Sequence, residues 1–385
     1  MKTLRLYYAT NRKHQGKDRW QPIGYDTRFS DDGAENLRFG VVELDADEAV
    51  IARHLGADCG FGRGDGNALA GAFGRQLKRG EARISPYREA IDAAKPDAVQ
   101  PARAFGSQAM FGDLQDAMRK SSDVLVYIHG FNVSWNDAVA SALALQESLN
   151  QSDQGKPDQQ VLVVLFSWPS DGKALPYVSY KSDRVEARAS GGAVGRALLK
   201  LRDFLLKVRT LDARGRDVAC GQELHLLCHS MGNYVLQCAL ERMHEHTPGN
   251  SFPRLFEHVF LCAPDVDDTA LEPGQPLGAV HELAMHVTVY YNREDVAMYV
   301  SDYTKGNAER LGHNGAARPA QLHNKVHQVD CSPIVTGTVE HSYYQDGRVN
   351  QDLRMSIASV DFDSPARTRR RSYDLPNVWV LGRTE

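Results

Sequence analysis

Almost continuously apolar segments alternate with amphipathic ones between about residues 123 and 345. Residues 123–130 (DVLVYIHG) and 160–170 (QVLVVLFSWPS) have the length and composition of buried strands. Between them, residues 136–150 place alanine and leucine at helical spacing, as one face of a helix requires. Fully apolar strands separated by amphipathic helices predict a mostly parallel sheet that is covered by helices on both faces.

The same alternation continues through the second half of the chain. A long amphipathic helix is predicted over residues 184–208. In a sheet of this kind, ligand chemistry lies at the carboxyl ends of the strands. Further apolar strands are predicted at residues 223–228, 258–265, 286–292 and 325–332.

The pattern weakens outside this region and divides the chain into four parts. Residues 1–44 hold two segments, LRLYYATNR and NLRFGVVEL, that predict edge strands of the same sheet, with antiparallel pairing open to them. Residues 45–120 lack clear periodicity and are interpreted as an insertion or cap segment. Residues 121–360 form the predicted core, and residues 361–385 a tail whose basic stretch predicts a solvated surface segment.

A glycine-rich stretch, CGFGRGDGNALAGAFGR, covers residues 59–75. It lacks the preceding strand and the following Lys-Ser/Thr pair of a phosphate-binding loop. We therefore predict a flexible loop or part of a cap here, rather than a nucleotide site.

Composition and charge narrow the class of protein. With 42% apolar and 24% charged residues, the 385-residue chain has an ordinary globular composition, and its net charge of −4 predicts neither nucleic acid nor an anionic membrane as a partner. The six scattered cysteines predict reduced thiols. No apolar stretch has the length of a membrane span or of a signal peptide at the N-terminus, so we expect a cytoplasmic protein. No cofactor is predicted, and the oligomeric state stays open.

Residues 225–236 (HLLCHSMGNYVL) lead from an apolar strand into an amphipathic helix. A sharp turn of this kind can hold a nucleophilic serine in strained backbone, and the residues two before and two after that serine must be small. Ser230 is followed by Gly232, but Cys228 stands where the G-x-S-x-G pattern has its first glycine. Cysteine is small and commonly buried, so Ser230 is the candidate nucleophile; the alternative is a serine that only caps the helix.

A serine nucleophile needs a base and an orienting acid, which hydrolases built on such a sheet carry in the chain order Ser, Asp/Glu, His. Asp295 closely follows an apolar strand, and His341 lies in a loop beyond the next one. We therefore predict Ser230 as the nucleophile, His341 as the base and Asp295 as the acid. Asp265, after the preceding strand, is the alternative acid, or otherwise a helix cap.

The oxyanion of such a reaction needs backbone donors. The segment IHGFNVSW follows an early strand, and Gly130 in it lets the backbone approach a substrate. The N–H groups of Phe131 and Met231 are the predicted donors for the oxyanion hole. His129 is interpreted as a buried structural histidine.

Other histidines are considered as metal ligands because of their spacing. His225, Cys228 and His229 have the spacing of ligands, but on a strand Cys228 points away from the two histidines. No metal site is therefore predicted. His323 and His327, around a strand start, are interpreted as packing or surface residues.

Six blocks occur in order along the chain: YIHGFNVSW, LFSWPSDG, HLLCHSMGNYVL, LCAPDVD, NREDVAM with ERLG, and EHSYY. Together they resemble a bacterial α/β-hydrolase family catalogued as a domain of unknown function (nine hundred), and the opening YYATNR resembles its N-terminal strand. The likeness covers roughly residues 120–345 and implies an α/β-hydrolase fold with a serine-hydrolase-like site at Ser230, Asp295 and His341. Family members often carry H-S-M-G without the preceding glycine, which makes Cys228 less of a departure.

These observations favour a serine hydrolase of esterase type. It would cleave a carboxylic ester of a small molecule through an acyl-enzyme, with thioesters and amides as close variants. The alternative is a non-catalytic protein of the hydrolase fold that binds a ligand or a partner.

Overall fold

The computed structural model describes residues 1–89, 106–151, 159–170, 176–208, 222–245, 247, 251–298, 309–336 and 340–382. No helix in these ranges is long and apolar enough to cross a membrane. The strands are β1 (Lys2–Thr10), β2 (Arg12–Gln15), β3 (Gly24–Phe29), β4 (Arg38–Ala46), β5 (Ala82–Pro86), β6 (Asp123–Ile128), β7 (Val161–Ser167), β8 (Glu223–His229), β9 (Phe256–Cys262), β10 (Ala284–Tyr291), β11 (Val326–Asp330), β12 (Arg369–Arg371) and β13 (Val378–Leu381). The α-helices are α1 (Glu48–Gly56), α2 (Gly66–Lys78), α3 (Gly106–Met118), α4 (Trp135–Leu149), α5 (Pro176–Val208), α6 (Gly232–His244), α7 (Leu311–Asn314) and α8 (Gly347–Ile357).

The central feature is an eleven-stranded sheet with the order β12-β13-β11-β10-β9-β8-β6-β7-β1-β4-β5, beside which β2 and β3 form a separate antiparallel pair. Neighbouring strands run parallel from β13 through to β1. The outer pairs are antiparallel: β1 with β4, β4 with β5, and β12 with β13. The predicted α/β fold, mostly parallel with N-terminal strands towards one edge, is therefore confirmed.

Helices cover both faces of the sheet, and each face has its own apolar core. Side chains alternate along a strand, so Leu226 and Leu227 on β8 belong to different cores. The core of Leu227 includes side chains of α2, α4 and α8, whereas the core of Leu226 includes side chains of α3, α5 and α6. Because both faces are buried, the central strands are apolar along their length, which is why the sequence pattern identified them.

The glycine-rich stretch contains a helix, so of the two expectations, a flexible loop or part of a cap, the loop does not hold for its second half. Residues 66–78 form α2, and the carboxylate of its N-cap, Asp65, accepts a hydrogen bond from the Ala68 N–H at 2.7 Å. Leu69 and Phe73 lie about one turn apart, are buried, and pack towards α4. The glycines and alanines around them dilute this apolar stripe, so the sequence alone did not reveal it.

Two arginines of the basic C-terminal stretch are held against the protein, and Arg369–Arg371 form β12 at the edge of the sheet. Arg367 is 1% exposed, and its Nε donates to Asp352 Oδ1 at 3.0 Å. Arg369 Nη1 donates to Asp352 Oδ2, also at 3.0 Å, while β13 pairs in parallel with β11. The buried carboxylate of Asp352 on α8 holds the two arginines against the protein. For Arg367 and Arg369 the expectation of a solvated segment does not hold, because their partner lies in another element and leaves no local pattern. Arg370 and Arg371 are exposed, as expected.

Candidate active site

A strained turn joins β8 to α6. β8 ends at His229, α6 begins at Gly232, and Ser230 between them has a φ of +51°. Positive φ is uncommon outside glycine, and the serine of a nucleophile elbow sits in strained backbone of this kind. The N-cap residue of α6 is Met231, without a side-chain cap hydrogen bond, so Ser230 is not a plain helix cap.

The turn lies in very close contact with the end of β6. A Cβ atom on Gly232 would lie 2.6 Å from the carbonyl oxygen of Ile128, and one on Gly130 would lie 2.8 Å from the Cβ of Ser230. Only glycine fits at these two positions, because any larger residue would force strand and helix apart. The loop after β6 therefore meets the turn at Ser230.

A buried amide on α6 ties the turn to the neighbouring strands. Asn233 is 0% exposed, and its Nδ2 donates to the carbonyl oxygens of Cys228 and Ser230, each at 3.0 Å. The Ser230 N–H in turn donates to the carbonyl oxygen of Cys262 at 2.9 Å. Sequence analysis missed Asn233, although an asparagine in the first turn of an apolar helix is a signal that could have found it.

The structure pairs His341 with Asp295. His341 Nδ1 lies 2.7 Å from Asp295 Oδ2, and the exposed fractions of the two side chains are 23% and 1%. Burial acts to lower the pKa of His341, but the charge and the hydrogen bond of Asp295 outweigh it, so the pKa is raised above its usual value. A carboxylate can only accept, so Nδ1 donates to it, and Nε2 is left as the nitrogen that can take a proton.

A second histidine connects His341 to the turn. His229, directly before Ser230, donates from Nε2 to the carbonyl oxygen of His341 at 3.2 Å, and the two rings lie 4.7 Å apart. Burial, reinforced by the nearby His341 ring, holds the pKa of His229 well below its usual value. The neutral ring of His229 therefore links the loop of His341 to the residue directly before Ser230 and carries no charge there.

The alternative acid, Asp265, lies against the same turn but has other partners. It is 1% exposed, and its backbone N–H donates to the carbonyl oxygen of Ser230 at 3.2 Å. Its carboxylate accepts hydrogen bonds from the Tyr180 hydroxyl at 3.1 and 2.8 Å, and its Oδ1 lies 3.3 Å from Arg310 Nε. Asp295 accepts the hydrogen bond of the His341 imidazole, whereas the carboxylate of Asp265 accepts from a phenol and lies beside a guanidinium.

The two predicted oxyanion donors lie on the segments that meet at Ser230. Phe131 follows Gly130 in the loop after β6, and its ring packs edge-on against Tyr180 at 5.7 Å. Met231 directly follows the serine and is fully buried. Their roles as oxyanion donors stay a prediction.

Comparison with known proteins places the chain in a family. A family model described as an alpha/beta hydrolase of unknown function (DUF900) matches residues 107–354. The chain belongs to this family. It is also 22% identical over 301 residues to an uncharacterized protein from Nostoc sp., with 61% of this chain and 73% of the relative covered. Membership of the hydrolase family supports the fold and a hydrolase site, and neither comparison names a substrate.

The histidine at the end of β6 has a structural role. His129 is fully buried, its Nδ1 donates to the carbonyl oxygen of Gly130 at 2.9 Å, and its ring stacks on Trp168. Burial and the charge of Arg12 lower the pKa of His129 to about 3. A ring that stays neutral and fully bonded supports the loop before Phe131 rather than acting as a base.

The described residues of the chain contain one group with ligand atoms close enough for a metal ion: Asp123, Glu223 and His225, within 4.8 Å of one another. His225 Nε2 and Asp123 Oδ1, 3.1 Å apart, already hydrogen-bond to each other. The group lies at the amino ends of β6 and β8, away from Ser230. It therefore has no part in the candidate site.

Cys228 is expected to act only as a small side chain beneath the turn. It is 0% exposed, and burial raises the pKa of its thiol well above the usual range. Cys228→Ala and Cys228→Gly should therefore keep hydrolysis, whereas Cys228→Leu should abolish it, because overpacking typically costs about 1–3 kcal/mol and would displace Ser230. The measurement is ester turnover for the three variants with folding checked by circular dichroism. Inactivity of both small variants would instead assign the thiol a chemical role.

Proposed function

We propose that the protein is a serine hydrolase of esterase type that cleaves a carboxylic ester through an acyl-enzyme, with thioesters and amides as close variants. One observation carries the proposal. His341 pairs with the buried Asp295 at 2.7 Å, and its carbonyl oxygen is bonded by His229, the residue directly before the strained Ser230. A binding protein would have no need for a histidine–carboxylate pair beside a serine with positive φ.

The first half of the reaction forms the acyl-enzyme. Ser230 Oγ attacks the carbonyl carbon of the ester while His341 Nε2 takes the hydroxyl proton. Negative charge on the carbonyl oxygen is stabilised by the N–H groups of Phe131 and Met231. The tetrahedral intermediate then collapses, and His341 passes the proton to the departing alcohol, which leaves the acyl group on Ser230.

The second half returns the free enzyme. A water molecule attacks the acyl carbon, and His341 takes its proton. The carboxylic acid leaves as the proton returns to Ser230 Oγ. Asp295 fixes the tautomer that keeps Nε2 available and stabilises the imidazolium in both halves.

Covalent labelling tests the proposal directly. A fluorophosphonate probe reacts with an activated serine, so we expect one labelled peptide, carrying Ser230, together with hydrolysis of p-nitrophenyl esters of rising chain length. Ser359→Ala is a matched control, because Ser359 is exposed and also has a positive φ, of +57°, just beyond the end of α8. Its labelling and turnover should equal those of the wild type. Absence of labelling together with absence of turnover would favour a non-catalytic binding protein.

A further inference from the structure

Two segments distant in sequence form one hydrogen-bonded unit at the candidate site. They are the glycine segment, residues 59–67, and the histidine loop, residues 340–346. The N–H of Gly347, at the end of the loop, donates to the carbonyl oxygen of Gly64 at 2.8 Å. A Cβ atom on Gly347, which has a φ of +47°, would lie 2.7 Å from the carbonyl oxygen of Phe61. The backbones are thus in direct contact.

The start of α2 is part of the same contact. A Cβ atom on Gly66 would lie 2.5 Å from the carbonyl oxygen of Gln345 in the histidine loop and 2.9 Å from Ser148 Oγ on α4. Glycine at this position therefore allows α2 to begin directly against the loop. The glycines that resemble a phosphate-binding loop in the sequence serve this backbone contact.

Asn67 makes the side-chain contacts between the two segments. Its backbone N–H donates to Asp346 Oδ1 at 2.9 Å, and its Nδ2 donates to Asp346 Oδ2. The same Nδ2 donates to the carbonyl oxygen of Ser342 at 3.2 Å. Ser342 directly follows His341, so one amide group binds the histidine loop at both ends.

The carboxylate of Asp346 is committed to this contact. Asp346 is the N-cap residue of α8 and is 2% exposed, yet its side chain makes no cap hydrogen bond to its own helix. It accepts from Asn67 instead. Burial raises the pKa of Asp346 to about 7 against the opposing effect of the Asn67 hydrogen bonds. A side chain at an N-cap usually satisfies its own helix, so the use of this one by α2 points to a different role.

We propose that Asn67 is a positioning residue for the proposed hydrolysis, which holds His341 in place through Ser342 and Asp346. The inference rests on the proposed function and adds a role for the glycine segment, which the triad does not use. Asn67 touches neither His341 nor Ser230 in the hydrogen bonds above; it acts through the histidine loop. His229 holds the same loop from the side of the serine, by the carbonyl oxygen of His341.

The size of the effect follows from the tolerance of proton transfer to geometry. Catalytic groups must be held within roughly 0.5 Å of their productive position, and a displacement of about 1 Å can lower the rate about 10²-fold. Asn67→Ala removes two side-chain hydrogen bonds to the histidine loop but leaves the triad intact. We expect kcat to fall about 10- to 100-fold with KM within about 3-fold of the wild type, since the step affected is chemistry rather than binding.

The matched control lies on the same helix. Gln76 on α2 also has an amide that bonds across elements, with Nε2 donating to the carbonyl oxygen of Asp45 at 3.4 Å, away from the histidine loop. Gln76→Ala should leave kcat and KM unchanged. Asp346→Asn, nearly equal in shape to the wild type, removes one acceptor from Asn67 and should lower kcat in the same direction, which provides a second variant if Asn67→Ala does not fold.

A proton NMR measurement separates this inference from the proposed function. The Nδ1 proton of His341, in its hydrogen bond to Asp295, should give a low-field resonance in the wild type and in Gln76→Ala, and a shifted or broadened one in Asn67→Ala and Asp346→Asn. The inference is overturned if the resonance and kcat of Asn67→Ala match the wild type, or if Gln76→Ala loses as much kcat. If the wild type hydrolyses no ester, the proposed function fails, yet a resonance lost only in Asn67→Ala and Asp346→Asn still supports the positioning of His341.

Discussion

Replacing Ser230 with alanine is expected to abolish ester hydrolysis and leave the protein folded. The nucleophile has no substitute in the proposed mechanism, and loss of the serine in a comparable triad lowers kcat about 10⁶-fold. The variant keeps the Cβ atom that packs against Gly130, and alanine bears the φ of +51° with about the same strain as serine. Folding stability should therefore change by roughly 1 kcal/mol or less. Turnover and thermal unfolding of the purified variant measure both effects.

The control for this result is Ser359→Ala, which removes an exposed hydroxyl just beyond the end of α8, at another serine with a positive φ of +57°. The backbone strain is therefore matched, and the hydroxyl lost lies outside the predicted triad. Substantial hydrolysis by clean Ser230→Ala protein would remove Ser230 from the mechanism. Hydrolysis lost equally in both variants would point to an indirect effect on folding.

The central sheet could be predicted from sequence because burial on both faces requires apolar residues that are recognisable within each strand and helix. Each strand of the parallel region needs apolar side chains at successive positions, and each helix needs one apolar stripe. The structure at the edges of the sheet was harder to predict. The sequence around Arg367 and Arg369 predicts a solvated basic segment, because their common partner, Asp352 on α8, is distant in sequence. α2 was missed because its glycines and alanines weaken the apolar stripe.

The candidate site was predictable in its residue types but not in its contacts. Chain order proposes Ser230, His341 and an aspartate between them, and it favours Asp295 over Asp265 only because Asp295 follows the strand nearer to the histidine loop. The partners of the two carboxylates depend on tertiary contacts. The contacts of Asn67 depend in the same way on the packing of segments distant in sequence. Those of Asn233 depend on the path of a tight turn. Neither can be deduced from a single sequence.

The choice between the two aspartates leads to the second large expected effect. Asp295→Asn should lower kcat on the order of 10⁴-fold, the size of the effect in the serine-protease precedent, because an amide can hold the imidazole in the wrong tautomer. Asp265→Asn should lower it far less. The carboxylate of Asp265 accepts from Tyr180 and pairs with the buried Arg310, so its loss should mainly reduce the free energy of unfolding, by roughly 1–3 kcal/mol.

The pH profile gives an independent reading of the same pair. His341 must be neutral to take the serine proton, so wild-type kcat/KM should fall as the pH drops through a His341 pKa that lies above the usual value. In Asp295→Asn the charge that raises this pKa is gone while burial still lowers it, so the acid limb should move to lower pH. In Asp265→Asn the shift should have the same direction but be smaller, because Asp265 contributes less to the His341 pKa than Asp295 does. Steady-state rates of the three proteins between about pH 5 and 9, with unfolding measured alongside, decide the assignment. A larger loss of kcat and a larger shift in Asp265→Asn would transfer the role of the acid to Asp265.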